Sequence, residues 1–331
     1  MKKQKLHCFD TETSMLGFGC MRMPFGPDNE VDDDYVIDVF RHAIDSGITY
    51  MDTAYIYLHG KSEMLLGRAL KDGYRQKTRV GTKLPTWLIK SEEDVERIFN
   101  EQLERLGLGL QEDGTIDPID MYFVHQMNQY NWKTVKKYNI IPFLEKKKAE
   151  GYINSLGFSF HDDVELFKEI IDAHKWDYAL IQFNYLDKNI QAGLEGLDYA
   201  KAHGVDIIVM EPLKGGRITD DIPKQVEAVW EEGKQKGIIE ESRTPAETAF
   251  RWVAAHEGVK IILSGMSSKE QVDANVEIFS KENFGNMPED EEQLIDRAAD
   301  TYLSLIKYGC TECGYCKPCP QKIDIPKTIR Y

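Results

Sequence analysis

Eight times between about Met15 and Ser280 a short β-rich run gives way to a longer amphipathic one, and no other feature restricts the fold of this chain as much. A strand reaches a parallel neighbour only through a crossover, usually a helix, so this alternation marks βα units around a parallel sheet. The strand candidates are Met15 to Cys20, Tyr50 to Thr53, Arg79 to Leu84, Asp120 to His125, Asn154 to Ser159, Tyr178 to Asn184, Asp206 to Glu211 and Lys260 to Gly265. Between them, stretches such as Asp34 to Ser46, Ser91 to Leu106 and Val164 to His174 repeat apolar residues three and four apart, as helices facing a sheet must. No long linker interrupts the series, and no Gly-x-Gly-x-x-Gly opens a helix after a strand. The expectation is therefore one α/β domain, a (β/α)8 TIM barrel over residues 1–285, rather than two Rossmann halves. Ahead of Met15, the alternation of Leu6, Cys8 and Thr11 suggests a small hairpin closing the bottom of the barrel. Past the eighth unit, Pro288 to Asp300 reads as an acidic helix continuing to about Ile306, and residues 286–331 as a C-terminal helix with a Cys-rich extension.

Charge narrows the function. Lys and Arg number 41 against 56 Asp and Glu, a formal net charge of −15, which disfavours an extended phosphate-binding surface and hence nucleic acid. No apolar run approaches the roughly 20 residues a membrane helix needs, and the basic Met1 to Cys8 is followed by none. A soluble, unexported, cytoplasmic protein is expected.

Barrel enzymes place their chemistry at the C-terminal ends of strands, so polar residues that close an apolar run are the candidates. Asp52, Lys83 and His125 end the second, third and fourth runs, and Tyr57 follows Asp52 by five residues. Singly, each has an ordinary explanation: a helix cap, a strand-end cation, a core histidine, a loop aromatic. Together they form an acid site. A buried lysine beside a phenol would favour the phenolate and lower the tyrosine's pKa from about 10, making it an acid for a developing alkoxide. Asp52 would hold the lysine, and His125 would orient a carbonyl.

The run Met51-Asp52-Thr53-Ala54-Tyr55-Ile56-Tyr57, then Gly60-Lys61-Ser62-Glu63 and Leu66-Gly67-Arg68-Ala69-Leu70, resembles the signature of the aldo-keto reductase family. Gly81-Thr82-Lys83 and Asp120-Met121-Tyr122-Phe123-Val124-His125 are similar to its next two motifs, and the resemblance covers roughly residues 12–280. It implies a catalytic tetrad of Asp52, Tyr57, Lys83 and His125, a hydride from reduced nicotinamide to a carbonyl carbon, and protonation of the oxygen by Tyr57.

It also implies a cofactor path. Ser159 and Gln182, ending the fifth and sixth runs, would hold the nicotinamide carboxamide, although the amide residue that usually follows the serine is Phe160 here. Met210, ahead of Pro212 and Leu213, takes the place of an aromatic stacked on the ring. After the seventh strand Lys214-Gly215-Gly216-Arg217 would offer backbone N–H groups and two cations to the pyrophosphate. Gly265, Ser267, Lys269, Gln271 and Asn275 would complete the site, with Ser267 and Glu270 as a capping box whose helix start attracts phosphate. Gly17, Gly19, Met21 and Arg22 would pass close to the nicotinamide, with Cys20 as packing. Relatives that prefer NADPH often carry an arginine where Ser267 and Gln271 stand, and Lys269 would substitute as a point charge. NADP is favoured and NAD stays open.

Cys310-x-x-Cys313-x-x-Cys316-x-x-Cys319-Pro320 is close to a bacterial ferredoxin run, with two residues rather than three before the last cysteine. A 4Fe-4S cluster is expected, with zinc as the alternative. Some bacterial aldo-keto reductases resemble this chain in ending with such a tail. The expected substrate is a small carbonyl compound, in a pocket bordered by Trp87 and by Tyr130 and Trp132 of the loop Gln126 to Lys137. Alternatives are a redox enzyme coupled through the cluster to a ferredoxin or flavodoxin-type carrier, and a nucleotide-sensing binding protein.

Overall fold

The computed structural model describes residues 1–220, 222–305, 316 and 319–329. Its centre is a closed barrel of eight parallel strands: β1 (Leu16–Gly19), β2 (Tyr50–Asp52), β3 (Arg79–Pro85), β4 (Ile119–Met127), β5 (Ile153–Phe160), β6 (Tyr178–Gln182), β7 (Asp206–Met210) and β8 (Val259–Ser264). They follow one another around the barrel in chain order, and β8 closes on β1 through Ile262 to Ser264 against Leu16 to Phe18. Each expected run became a strand, with ends moved by one or two residues.

The outer wall is helical: α1 (Asp33–Asp45), α2 (Ser62–Ala69), α3 (Glu92–Leu106), α4 (Gln129–Lys137), α5 (Ile140–Ala149), α6 (Val164–Ala173), α7 (Gly193–Ala202), α8 (Lys224–Gln235), α9 (Pro245–Ala254), α10 (Lys269–Ser280) and α11 (Glu289–Leu305). Side-chain oxygens start several of them: Asp32 accepts from the Asp34 and Tyr35 amides, Asp163 from Leu166 and Thr244 from Glu247. A large apolar layer joins sheet to helices.

Inside the barrel, Tyr50, Met121, Phe123, Tyr178, Leu180, Ile208, Ile261 and Leu263 fill the lumen. The hairpin of Lys3–Gln4 with Thr13–Ser14 sends Leu6 into this cluster from below, closing the bottom. Two tyrosines fit there only because glycines face them. A Cβ on Gly81 would lie 2.2 Å from the Tyr50 hydroxyl, and one on Gly157 would lie 2.1 Å from Tyr178 Cδ2. The lumen below the mouth is thus solid, and chemistry is confined to the open C-terminal end.

α11 lies on α8, where Leu294 occupies the space beside Gly233. Buried Glu291 joins Arg243 and Arg251 at 2.5 and 3.2 Å, and Tyr302 donates to the Arg217 carbonyl at 2.6 Å, fastening α11 to the loop after β7. A second small hairpin, Gly109–Leu110 with Ile116–Asp117, was not expected. Among the described residues no helix is long and apolar enough to cross a membrane.

Candidate active site

Side chains alternate in and out along a strand, and parallel partners in register share a face. Asp52 pairs with Gly81, Lys83 with Phe123, Phe123 with Gly157 and Leu180 with Ser159. Inward positions above the tyrosine layer are therefore Asp52, Lys83, His125, Ser159 and Gln182, one from each of five successive strands. The local sequence built this: each is two residues beyond an inward-facing glycine or apolar residue.

Lys83 Nζ donates to Asp52 Oδ1 at 2.5 Å and to the Thr53 carbonyl at 2.7 Å, with the two side chains only 1 % and 3 % exposed. Tyr50 Oη donates to the other Asp52 oxygen at 2.9 Å, so the carboxylate is held from below as well. Such burial is tolerated because both charges and their lone pairs are satisfied. Lys83 Nζ also lies 4.8 Å from the centre of the Tyr57 ring. The Tyr57 ring meets His125 edge-on, centroids 6.2 Å apart, and Trp87 packs on His125 at 5.1 Å. The four residues expected to act together do converge. His125 Nδ1 is buried and has no hydrogen-bond partner among the described residues.

Electrostatics correct one expectation. The Tyr57 phenol is pushed well above its ordinary value, by burial first and then by the Asp52 carboxylate, with Cys20 and Glu211 adding and Arg22 opposing. Lys83 was expected to lower it, but the Asp52 carboxylate that accompanies the lysine adds to the rise instead. Burial, then the Lys83 charge and the nearby His161, hold the His125 imidazole well below the usual histidine range, so it is neutral.

Tyr57 opens a short turn, Tyr57–Gly60, in which Leu58 (φ 50°), His59 (φ 56°) and Gly60 (φ 87°) are all left-handed. For each of the first two this costs about 1–2 kcal/mol. Leu58 is buried and anchors the turn, while Ser62 Oγ bridges Thr53 Oγ1 (2.8 Å) and the Cys20 carbonyl (3.0 Å), tying the loops after β1 and β2 together.

At the cofactor positions, Ser159 Oγ accepts the Gln126 amide at 2.7 Å and keeps its own proton to donate. Gln182 Nε2 is a buried donor without a partner among the described residues, and Gln182 stands in register with Met210. Gly19 ends β1, followed by exposed Met21 and by Arg22. Arg22 Nη2 reaches Glu211 Oε1 at 3.2 Å, and the arginine side chain lies over Gly265 and Gly215, whose added Cβ atoms would sit 3.3 Å from its Cδ and 3.4 Å from its Nη2. Pro212 and Leu213 lead into the tight turn at Gly215 (φ 66°) and Gly216 (φ 94°).

Several of the expected cofactor and pocket residues have partners within the protein. Lys214 is no free cation, because its ammonium is buried against Asp187. Arg217 contributes its carbonyl to Tyr302. Ser268, not Ser267, caps α10, accepting the Gln271 amide at 3.4 Å, while the Ser267 amide donates to Gln271 Oε1 at 2.8 Å. Lys269 is paired with Asp38 at 2.5 Å, and Asn275 donates to Ser264 Oγ at 3.0 Å. Trp132 is buried, with Nε1 donating to Glu169 at 2.6 Å, and Tyr130 is 77 % exposed, so neither lines a closed pocket. Tyr50, Glu211 and His161 were missed. Period-two alternation from Asp52 would have found Tyr50.

Of the four tail cysteines, Cys310 and Cys313 lie outside the described residues, Cys316 is exposed and Cys319 is half-buried, both as free thiols. No metal-holding group of three or more His, Cys, Asp or Glu occurs among the described residues.

The sequence model of the Aldo/keto reductase family matches residues 15–299, most of the chain. The chain belongs to that family. This aldo/keto reductase is 27 % identical over 312 residues to the NADH-specific methylglyoxal reductase of Escherichia coli (strain K12), covering 83 % of this chain and 93 % of that protein. It is 26 % identical over 281 residues to L-galactose dehydrogenase of Arabidopsis thaliana, covering 80 % and 84 %. Among solved structures it is similar to aldo-keto reductase AKR11C1 from Bacillus halodurans (holo form), with a TM-score of 0.71, 24 % identity and 90 % and 96 % coverage. An aldo-keto reductase from Klebsiella pneumoniae in complex with NADPH gives a TM-score of 0.70 at 21 % identity, covering 90 % and 95 %. The barrel is therefore that of the family, and the aldo/keto reductase is an NAD(P)-dependent oxidoreductase.

Proposed function

We propose that this enzyme reduces an aldehyde or ketone with NADPH, and that Tyr57 is the general acid. The convergence of Tyr57, His125 and the Lys83–Asp52 pair at one open mouth carries this reading. The dinucleotide would supply the hydride to the carbonyl carbon. Neutral His125 donates a ring N–H to the carbonyl oxygen without adding charge. The Tyr57 O–H proton passes to the alkoxide as the C=O π bond breaks, leaving a phenolate. Its raised pKa keeps the phenol loaded across neutral pH, so the proton is in place when the alkoxide forms.

The residues present fit a nicotinamide: the orphaned Gln182 donor and the Ser159 hydroxyl suit a carboxamide oxygen, beside Met210 and Gly19. Arg22, Pro212, Leu213, Gly215, Arg217 and Gly265 would border the pyrophosphate, and Ser267, Lys269, Gln271 and Asn275 the adenosine end. NADH is the second reading, favoured by the pairing of Lys269 with Asp38 and the lack of an arginine at the start of α10. Loss of 340 nm absorbance when each nucleotide is mixed with enzyme and a simple aldehyde tests both. Consumption of NADPH is expected, and consumption of neither nucleotide overturns the reductase reading.

We also propose that Cys310, Cys313, Cys316 and Cys319 hold a 4Fe-4S cluster, their donor chemistry and two-residue gaps being the support. Its role is to staple the tail rather than to serve the two-electron hydride step, with relay to a ferredoxin or flavodoxin-type carrier as the second reading. Anaerobically purified protein should carry about four irons per chain. Stoichiometric zinc without iron contradicts it.

A further inference from the structure

We infer that Asp187 and Lys214 brace the loop after β7 in the shape that receives a dinucleotide pyrophosphate, so that Lys214 is a positioning residue and not a phosphate ligand; this rests on the reductase reading above. The backbone of the loop needs such support. Glu211 (φ 55°) and Lys214 (φ 49°) are left-handed ahead of Gly215 and Gly216, and L side chains adopt that backbone only where the surroundings impose it. Within the loop, the Lys214 and Gly216 amides donate to the Glu211 and Leu213 carbonyls at 3.0 and 2.9 Å. These bonds close turns but join the loop only to itself.

Its tie to the barrel comes from the loop after β6. Asn184, wholly buried, donates through Nδ2 to the Glu211 carbonyl at 3.2 Å and to Asp187 Oδ2 at 3.3 Å. Its Oδ1 accepts the Leu186 and Asp187 amides at 3.1 and 3.0 Å, which fixes where the Asp187 carboxylate stands. The Lys214 ammonium donates to the same Asp187 Oδ2, and the lysine and aspartate side chains are 8 % and 3 % exposed. A pyrophosphate could take this lysine only by leaving Asp187 buried and unpaired, an exchange that a buried ion pair resists. Lys214 therefore serves the cofactor through the shape of the loop. A loop already in its bound shape has less ordering to undergo when the nucleotide arrives, which raises affinity without a direct contact.

Neutralising the carboxylate separates the two roles. A lysine that bound phosphate would be released by D187N, and NADPH would bind as tightly as before or tighter. A brace would be broken instead. D187N and K214M should each raise the Kd for NADPH, read by quenching of protein fluorescence, by about tenfold or more. The double variant should bind no more weakly than the weaker single one, because both remove one shared contact. In steady state the loss should fall on KM for NADPH with kcat held or raised, since faster nucleotide release does not slow turnover, whereas a general loss of structure would lower kcat. Should D187N fail to fold, N184A carries the same prediction without touching a charge. Wild-type affinity in folded D187N or N184A, or single losses that multiply in the double variant, overturns this inference and leaves the reductase reading intact. A wild-type enzyme that binds neither NADPH nor NADH removes that reading, and this inference with it.

Discussion

An ammonium that is 1 % exposed needs a counter-charge within reach, and Lys83 has one in Asp52. The pairing bears on why the Tyr57 phenol is not drawn down: the Asp52 carboxylate that comes with the ammonium adds to the effect of burial. It also makes Lys83 structural. K83M would leave the Asp52 carboxylate buried with Tyr50 as its remaining donor, and should cost about 3–5 kcal/mol in urea unfolding. A loss well under 1 kcal/mol would mean that Asp52 is not held as a charged partner. Asp52, Tyr57, Lys83 and His125 were legible because each closes a strand run or falls at fixed spacing from one that does. The fates of Lys214, Lys269 and Trp132 were not. Their partners Asp187, Asp38 and Glu169 lie tens to hundreds of residues away in sequence, and which cation a distant carboxylate claims is decided only by packing.

At the scale of elements, all eight barrel strands could be read because a parallel strand covered on both faces is a nearly continuous apolar run. Ile119–Met127 and Val259–Ser264 show this plainly. The start of α10 shows where local reading stops. Ser267 with Glu270 and Ser268 with Gln271 both satisfy a capping-box pattern, and the chain uses the second. The choice belongs to the helix register, which must bury Val272, Asn275, Ile278 and Phe279 against the barrel. The hairpin of Gly109–Leu110 and Ile116–Asp117 escaped because two-residue strands have no periodicity to detect. The strained turn at Leu58 and His59 escaped for the opposite reason: neither residue type favours a left-handed backbone, so only the surrounding structure imposes it.

Across the whole molecule, division of labour follows from closure. The bottom is plugged by Leu6 and the lumen is filled by Tyr50 and Tyr178, so polar groups gather at the single open end. α11 returns to that end, where Tyr302 donates to the Arg217 carbonyl beside the proposed cofactor loop. The fold was legible at this scale because eight repeats admit few closed arrangements. The substrate was not, since the loops that shape its pocket have no repeating pattern. The central claim is that Tyr57 delivers the proton at this mouth, and single-turnover reduction in wild type and Y57F, with nucleotide affinity measured by fluorescence on the same samples, tests it most directly. The account predicts unchanged affinity and a chemical step slowed by about 10²–10⁴-fold; a Y57F enzyme that binds nucleotide and reduces carbonyl at the wild-type rate would contradict it.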